Sequence, residues 1–339
     1  MPVKYDPYAD PTFINNFIFD FCTENNEKID FLQTVLGYCL SGEISGQCGF
    51  IFCGRGTNGK SALIELLKEI FGDFFDTASK DVWLTGSNRN SGGPSPHIAD
   101  LVNKRISVCD EIPPKSAIDE GQFKLITGSS HFKARQLYDS FVTYINYVKP
   151  VLFCNPPLPQ ASTAFSLWRR IIVFVCETTY VNHPSQIKDT KTYKLSDPTI
   201  NIKLKNPVNL SAFLNWLIIG AVRFYQQGLK APQCIMDAVN AYKDDNDPIK
   251  EFFDIYYEQT NNSSDRVSKP ETYNNYTSWF NNNADANEKL LSRKEFIAEF
   301  TKKAIRIMKS NGNEFYTGIK AKIVTQTNNQ ISTSEFLSI

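Results

Sequence analysis

The spacing of apolar residues changes along the chain, and each change marks a different kind of element. Between residues 12 and 42 apolar side chains recur every three or four positions, as in Phe13, Phe17 and Phe21, and the pattern stops at Gly42. This spacing gives a helix one apolar face. The sequence therefore predicts a small helical segment ahead of the main fold.

From residue 49 to residue 177 the pattern changes to short, almost continuous apolar runs separated by stretches of helical spacing. Such runs are typical of strands that are covered on both faces, as in a parallel sheet between helices. We therefore predict an α/β core with a parallel sheet. The four runs are Gly49–Cys53, Arg105–Cys109, Pro150–Cys154 and Ile171–Val175.

The C-terminal half has a different organisation. Residues 178–207 are polar and predict a loop, and Leu210–Gln226 predicts a largely buried helix. Further on, Thr272–Phe280 and Ser292–Met308 predict two amphipathic helices before a hairpin. Two helices and a hairpin within about eighty residues fit a winged-helix-like module. We divide the chain into an N-terminal helical segment (1–46), a core (47–180), a helical linker or lid region (181–262) and a winged-helix-like domain (263–339).

Charge is balanced over the whole chain but unevenly distributed. The 339 residues carry no formal net charge, so binding to nucleic acid would depend on local clusters. Residues 289–322 contain nine basic and three acidic residues. This basic patch is either a contact for duplex DNA or a solvated face, and the sequence favours neither. Its members include Arg293, Lys294, Lys302, Lys303, Arg306, Lys309, Lys320 and Lys322.

The cysteines, histidines and apolar stretches of the sequence indicate the compartment of the protein and argue against a zinc site and a membrane span. The eight cysteines form no CxxC pair, and several lie in apolar runs, which predicts buried free thiols in a reducing, cytoplasmic compartment. None of the three histidines has metal-ligand spacing, so we expect no structural zinc. The best membrane candidate, Phe213–Val222, has about half the length needed to span a bilayer, and no secretion signal opens the chain. We therefore expect no membrane association.

The most specific motif is Gly-Arg-Gly-Thr-Asn-Gly-Lys-Ser at Gly54–Ser61, between a predicted strand and a predicted helix. It matches the phosphate-binding pattern G-x-x-x-x-G-K-S. Glycines let successive N–H groups close around phosphates, and the helix N-terminus adds a positive dipole. Lys60 would then contact the β- and γ-phosphates and Ser61 would bind Mg²⁺. The predicted ATP-binding residues here are Gly54, Gly56, Thr57, Asn58, Gly59, Lys60 and Ser61.

Two further strands end in polar residues. Asp110 and Glu111 follow the second apolar run, where Asp110 would hold nucleotide-bound Mg²⁺ and Glu111 would polarise the attacking water. Asn155 follows the third run and would orient that water. In isolation, an acidic pair or an Asn before proline is most often a turn. After a phosphate-binding loop, the functional interpretation is favoured.

The order of these motifs resembles superfamily 3 helicases. The resemblance rests on the loop at Gly54–Ser61, Asp110-Glu111, Leu125–Gly128 with Ala134–Tyr138, Asn155, and Trp168–Ile171. Within that superfamily it resembles the primase-helicases of poxviruses, other large DNA viruses and phage or plasmid replicons. It covers residues 30–180 and continues more weakly beyond them.

The resemblance implies a P-loop NTPase (AAA+-like) core that forms a homo-oligomer, expected to be a hexamer, with a primase domain or partner. It also implies that Asn155 is the sensor residue and that Arg170 is the arginine finger, which enters the ATP site of the adjacent subunit. Arg169 is the rival for that role, and a surface or interface ion pair is the structural alternative for either arginine.

The same resemblance places a DNA-contacting hairpin at Phe132–Ile145, with Lys133 and Arg135 along phosphates and Tyr138 against a base. The predicted tip carries Asp139 where some viral members have a Lys-His pair, so the side chains that contact DNA differ from theirs.

The expected function is that of an ATP-dependent DNA helicase of viral or mobile-element replication, a ring that translocates on single-stranded DNA. Two alternatives remain open at this point. One is a small-molecule kinase built on the same loop, and the other is a DNA-binding initiator or packaging component that uses ATP without unwinding DNA.

Overall fold

The computed structural model describes residues 2–86, 96–114, 116–135, 140–162, 164–260, 262–283, 290–310 and 312–322. The chain folds as two compact units, divided between Asn246 and Asp247. The sequence placed its last boundary after residue 262. The division falls earlier because Phe252, Phe253 and Tyr257 are buried in the core of the second unit.

The first unit contains ten α-helices and nine strands within its described residues. The helices are α1 (Thr12–Phe21), α2 (Asn26–Leu40), α3 (Lys60–Phe71), α4 (Lys80–Trp83), α5 (Pro96–Ala99), α6 (Glu120–Gly128), α7 (Phe165–Trp168), α8 (Ile200–Leu204), α9 (Pro207–Gln227) and α10 (Gln233–Asp245). The strands are β1 (Gly49–Cys53), β2 (Phe75–Thr77), β3 (Ile106–Ile112), β4 (His131–Ala134), β5 (Val142–Ile145), β6 (Lys149–Cys154), β7 (Ile171–Val175), β8 (Thr179–Val181) and β9 (Tyr193–Leu195).

A five-stranded parallel sheet forms the centre of this unit, in the order β2-β3-β6-β1-β7. Four of its strands are the apolar runs predicted from the sequence, so the α/β prediction is confirmed. The fifth, β2, was not predicted. Because all five strands are parallel, their carboxyl ends lie along one edge.

Both faces of the sheet are covered, as the continuous apolar runs predicted. On one face Phe52 stacks between Phe153 and Phe174, with ring centroids 4.9 and 4.8 Å away. This layer is continuous with buried residues of α1, α2, α3 and α9. The alternate positions, among them Ile51 and Leu152, pack on the other face with α6 and α10. The N-terminal helices and α9 therefore share one core with the sheet.

Helix α9 is longer than the apolar stretch from which it was predicted. By length and composition it could cross a membrane, with a mean hydropathy of 1.3, which corrects the expectation that no segment of the chain is apolar enough. Half of that window is buried inside the first unit. Phe213, Leu217 and Phe224 of α9 are buried in the core of the unit, so the apolar face of α9 is used in core packing. Gln33 of α2 also donates a hydrogen bond to the Trp216 carbonyl of α9 at 3.0 Å.

Two predictions about connecting segments have different outcomes. The hairpin is confirmed, since β4 and β5 pair antiparallel from His131 opposite Ile145 to Ala134 opposite Val142. The loop predicted at 178–207 contains β8 and β9, which pair parallel, and α8. Its polar sequence gave no periodic signal because these elements are only three to five residues long.

The second unit contains three helices and five short strands within its described residues. They are α11 (Lys250–Tyr256), β10 (Tyr257–Gln259), β11 (Arg266–Ser268), α12 (Lys269–Asn283), α13 (Arg293–Thr301), β12 (Arg306–Ser310), β13 (Asn313–Thr317) and β14 (Ile319–Ala321). Helix α12 confirms one predicted helix. The other ends at Thr301 rather than Met308, because Arg306–Ser310 pairs as a strand with β13 across a turn at Gly312, whose φ is +77°.

Candidate functional site

The loop between β1 and α3 brings backbone close to backbone. Gly59 has φ +80° and Thr57 has φ +46°, so the chain turns through left-handed conformations. A Cβ atom at Gly54 would lie 1.8 Å from Nδ2 of the Asn58 side chain and 2.6 Å from the backbone carbonyl oxygen of Cys176. Only glycine fits at Gly54. The sequence therefore fixes a tight loop at the carboxyl end of β1, directly before the N-terminus of α3.

Lys60 is the first residue of α3 and is only 8% exposed. Its Nζ donates hydrogen bonds to the Gly54 carbonyl at 2.6 Å, to Asn58 Oδ1 at 3.0 Å and to Asn155 Oδ1 at 3.0 Å. The ammonium group thus joins the loop after β1 to the end of β6, the neighbouring strand. Two of the residues predicted for the site, Lys60 and Asn155, are in direct contact.

Asp110 and Glu111 lie within β3, which continues to Ile112 rather than ending before them. The register with β6 shifts between Cys109 and Ile112, and Glu111 has φ +52°. This irregularity leaves both carboxylates exposed while Ile112 is buried. Asp110 Oδ1 accepts a hydrogen bond from the Glu111 N–H at 2.8 Å. A positive φ at a non-glycine residue costs free energy and is common at functional sites.

A cavity of about 770 Å³ joins these residues. Its wall contains Lys60, Asp110, Glu111 and Asn155 together with the loop residues. The predicted site residues that line it are Gly56, Thr57, Asn58, Gly59, Lys60, Ser61, Asp110, Glu111 and Asn155. Gly54 is not part of the wall and contributes its carbonyl to Lys60 instead. Ser61 and Asp110 present oxygen atoms to the same space, and oxygen is the ligand that Mg²⁺ prefers.

The sequence did not predict a large part of this cavity. Lys80, at the start of α4, lines the wall that also contains the two carboxylates. Most of the remaining wall comes from α1 and from the stretch that runs from β8 to the start of α8. These two parts contribute Phe13, Asn16, Phe17, Asp20, Tyr180, Leu195, Ser196, Asp197 and Ile200. The helical spacing of Phe13 and Phe17 was visible in the sequence, but nothing in it showed that this face meets a cavity.

The two candidate finger arginines lie at the opposite edge of the sheet. Arg170 immediately precedes β7, whose far end, Val175, pairs with Cys53 just before the loop. Five strand residues separate the two edges, a distance of about 16 Å. Neither arginine can therefore contribute to the cavity of its own chain through a local contact.

The environments of these two arginines differ. Arg170 is 8% exposed, and its guanidinium donates to the Ser166 carbonyl at 2.6 Å. The Arg170 side chain also lies against Gly128. Burial lowers the pKa of its guanidinium group. Arg169 is exposed and donates to Gln47 Oε1 at 3.0 Å. Of the two, Arg169 is the one available to another molecule.

The three predicted DNA-contacting residues are only partly described. Lys133 is exposed on β4, and the guanidinium of Arg135 lies 4.9 Å from the centroid of the Phe141 ring. Tyr138 and Asp139 lie outside the described residues. Phe141 and Ile145 are both about half exposed, so the described base of the hairpin presents apolar as well as basic side chains.

Part of the basic C-terminal patch is engaged in ion pairs. Lys303 pairs with Asp247 at 2.6 Å, Lys302 with Glu299 at 2.6 Å and Lys309 with Glu314 at 3.5 Å. These pairs support the interpretation of the patch as a solvated face. The cysteines are all free and seven of them are buried, which confirms the predicted thiols, and burial raises the pKa of Cys176 to about 12.

No family model matches the chain. The chain is 28% identical to "Putative helicase L207/L206" of Acanthamoeba polyphaga mimivirus over 81% of its own length. It is 29% identical to "Putative helicase 022R" of Frog virus 3 over 59% of its length, and 27% identical to "Primase D5" of Fowlpox virus over 58%. The chain spans 29%, 21% and 25% of these relatives, respectively.

Solved structures match almost the whole chain. The apo structure of the NrS-1 C terminal region covers 94% of this chain and 77% of that one, with a TM-score of 0.57 and 13% identity. At this identity the match shows the α/β fold alone. The matches to viral helicases and a viral primase agree with the order of motifs from Gly54 to Arg170: the chain resembles the superfamily 3 helicases.

Proposed function

We propose that this chain is the motor of an ATP-dependent DNA helicase of viral or mobile-element replication, with a P-loop NTPase core of the AAA+ type. One observation carries the proposal: Lys60 lies in a cavity whose wall also contains Asp110, Glu111 and Asn155. A cation, two carboxylates and an amide at the carboxyl ends of adjacent parallel strands are the groups that phosphoanhydride hydrolysis requires.

The groups have separate roles in this proposal. Lys60 exchanges protein acceptors for the β- and γ-phosphate oxygens, and Asn155 holds the attacking water against the γ-phosphate. Glu111 polarises that water. Ser61 and Asp110 would hold Mg²⁺, which supplies charge neutralisation on the phosphates. The exposed position of Glu111 in the irregular part of β3 supports its access to water.

The proposal includes a second copy of the chain. An arginine from an adjacent subunit would neutralise charge on the γ-phosphate, so hydrolysis would depend on assembly into a ring, proposed to be hexameric. The sequence favoured Arg170 for this role. Arg170, however, is buried and hydrogen-bonded to Ser166. Because an arginine finger must extend from the surface of its own subunit into the next, the exposed Arg169 is favoured instead.

DNA would pass along the hairpin formed by β4 and β5, with Lys133 and Arg135 on the phosphates and Tyr138 against a base. The second unit would act as a winged-helix-like accessory domain, and a primase domain or partner would complete the replication machine. The chain spans less than a third of the length of these relatives. This supports the proposal that a primase domain or partner works together with the motor.

The test measures the ATP hydrolysis rate with and without single-stranded DNA, alongside the particle size with a non-hydrolysable ATP analogue. We expect stimulation by DNA, assembly into a ring, strand displacement on a forked duplex, and loss of all turnover in Lys60→Ala. Lys68→Ala, farther along the same helix, is the matched control. Phosphate transfer by a monomer without DNA stimulation would favour a small-molecule kinase, and DNA binding without strand displacement would favour an initiator or packaging component.

A further inference from the structure

The cavity extends beyond the phosphate-binding loop into a chamber between α1 and the segment at residues 180–200. Helix α1 contributes Phe13, Asn16, Phe17 and Asp20. These positions are spaced i, i+3, i+4 and i+7, so they form one continuous face of the helix. Ile14 and Ile18, on the side of α1 next to this face, are buried in the core together with Phe17. The cavity-lining face therefore has a fixed orientation.

Tyr180 connects this chamber to the phosphate-binding loop. Its N–H donates a hydrogen bond to the Thr57 carbonyl at 2.7 Å. Its ring lies 3.3 Å from the position that a Cβ atom of Gly59 would occupy. Together with Phe13, Phe17 and Ile200 it gives the chamber aromatic and aliphatic walls. A flat heteroaromatic ring attached to a triphosphate on the loop would therefore enter an apolar slot.

Most polar groups of the chamber already have partners that hold its walls together. Asp20 pairs with Lys194 at 3.2 Å, which joins α1 to β9. Asp197 accepts hydrogen bonds from Thr199 and pairs with Lys203 at 2.7 Å. Ser196 bonds to Asn182 at 2.8 Å. Asn16 is the other polar side chain on the cavity-lining face of α1, and it is exposed. It is therefore the residue of this face that is suited to contact a ligand.

We infer that this chamber is a nucleobase site selective for adenine and that Asn16 is its specificity-determining residue. A carboxamide presents one donor group and one acceptor at fixed spacing. Adenine offers the complementary pair, the N6 amino donor and the N7 acceptor, whereas guanine offers two acceptors, O6 and N7, at the same edge. The inference rests on the proposed function, since it concerns the base of the nucleotide whose phosphates Lys60 binds.

The experiment measures dissociation constants of non-hydrolysable ATP and GTP analogues by calorimetry on the full chain. We expect wild type to prefer the ATP analogue by about tenfold or more, the discrimination that one good bidentate pair provides. Asn16→Ala should lose this preference, with affinity for the GTP analogue unchanged. Asn15→Ala is the matched control, because Asn15 is exposed on the same helix and does not line the cavity.

Lys60→Ala separates the base inference from the proposed function. It should weaken both analogues by the same factor and leave their ratio unchanged. If wild type binds neither analogue, the proposed nucleotide site itself is refuted. If Lys60→Ala weakens both analogues but wild type binds them equally well, the adenine selectivity of the chamber is overturned while the phosphate site stands. If wild type prefers the ATP analogue and Asn16→Ala keeps that preference, the assignment of Asn16 is overturned.

Discussion

The Nζ atom of Lys60 lies 3.0 Å from Oδ1 of Asn155, so the first residue of α3 is hydrogen-bonded to the residue that follows β6. The two residues are 95 positions apart in the chain. Their contact exists because β1 and β6 are adjacent parallel strands that end at the same edge of the sheet. A change at Asn155 therefore alters the hydrogen bonding of Lys60 directly. In the proposed mechanism it also alters the position of the attacking water.

Asn155→Ala should lower kcat for ATP hydrolysis by about a hundredfold, because one preorganised polar group is lost from the reacting centre. The affinity for ATP should change by less than about threefold, since Gly54 and Asn58 still hold Lys60 beside the loop in the free protein until phosphate oxygens replace them. Steady-state kinetics and equilibrium binding measure the two effects separately. Asn155→Asp is the informative companion: its carboxylate would compete with phosphate for Lys60 and should weaken binding. A wild-type kcat in Asn155→Ala would exclude Asn155 from the reaction.

The contact between Lys60 and Asn155 also shows which parts of the site the sequence could predict. Each motif follows an apolar run long enough to identify a buried strand, and the ends of parallel strands meet at one edge. Strand β2 has only three residues, too few for any periodicity. The α1 wall was visible as a helical face, but sequence spacing does not reveal what that face contacts. Arg306–Ser310 became a strand because pairing with β13 overrode its helical spacing.

Helices α2 and α9 pack so closely that glycine is required at their contact. A Cβ atom at Gly220 would lie 1.9 Å from the Gln33 carbonyl oxygen, and one at Gly37 would lie 2.2 Å from the Ala221 nitrogen. Both neighbouring atoms belong to backbone and cannot rotate away. Gly220→Ala should therefore reduce the free energy of unfolding by about 3 kcal/mol, at the upper end of overpacking costs.

Urea unfolding followed by circular dichroism tests the Gly220 prediction. Gly228→Ala is not a suitable control, because Gly228 has φ +69° and strain would be added there. Ala221→Ser, at the adjacent helix position, is a milder substitution with no new Cβ atom. Unchanged stability of Gly220→Ala would show that the two helices separate at little cost.

Lys149 provides a test of pH dependence. It is 1% exposed, its Nζ donates to the carbonyls of Ser41 and Tyr147, and it lies 5.0 Å from the centre of the Tyr38 ring. Burial lowers the pKa of this lysine from its ordinary 10.5 to about 8. Below pH 8 both the folded and the unfolded chain carry the charge, and its desolvation opposes folding. Between about pH 8 and 10.5 the unfolded chain binds more protons than the folded one, so this unfavourable contribution to folding fades as pH rises.

Lys149→Met isolates that contribution, since thiols and phenols that titrate in the same range are common to both proteins. The unfolding free energy of wild type minus that of Lys149→Met should rise by about 2 kcal/mol between about pH 7 and about pH 10. Urea titrations at several pH values measure the difference. A difference that stays flat, or falls, with pH would mean that Lys149 keeps an ordinary pKa in the fold.

Replacing each of the two arginines before β7 should have opposite effects on stability and activity. Arg169→Ala should leave stability and ATP affinity close to wild type but reduce hydrolysis by about a thousandfold, the scale of a lost arginine finger. Arg170→Ala should destabilise the fold, because it removes a buried group that packs against Gly128 and bonds to Ser166. Thermal unfolding and the hydrolysis rate distinguish the two outcomes. Full activity in Arg169→Ala together with an inactive but stable Arg170→Ala would return the role to Arg170.

A mixture of two inactive variants tests whether the arginine acts on an adjacent subunit. In a ring assembled from Lys60→Ala and Arg169→Ala chains, some cavities combine an intact Lys60 from one chain with an intact Arg169 from its neighbour. Activity should therefore reappear on mixing, at a fraction of the wild-type rate set by how often those pairs occur. Because the arginine edge of the sheet lies about 16 Å from the loop of its own chain, an arginine acting within one chain has no direct route to the phosphates. A mixture as inactive as its components, with mixed rings verified by mass, would refute the shared site.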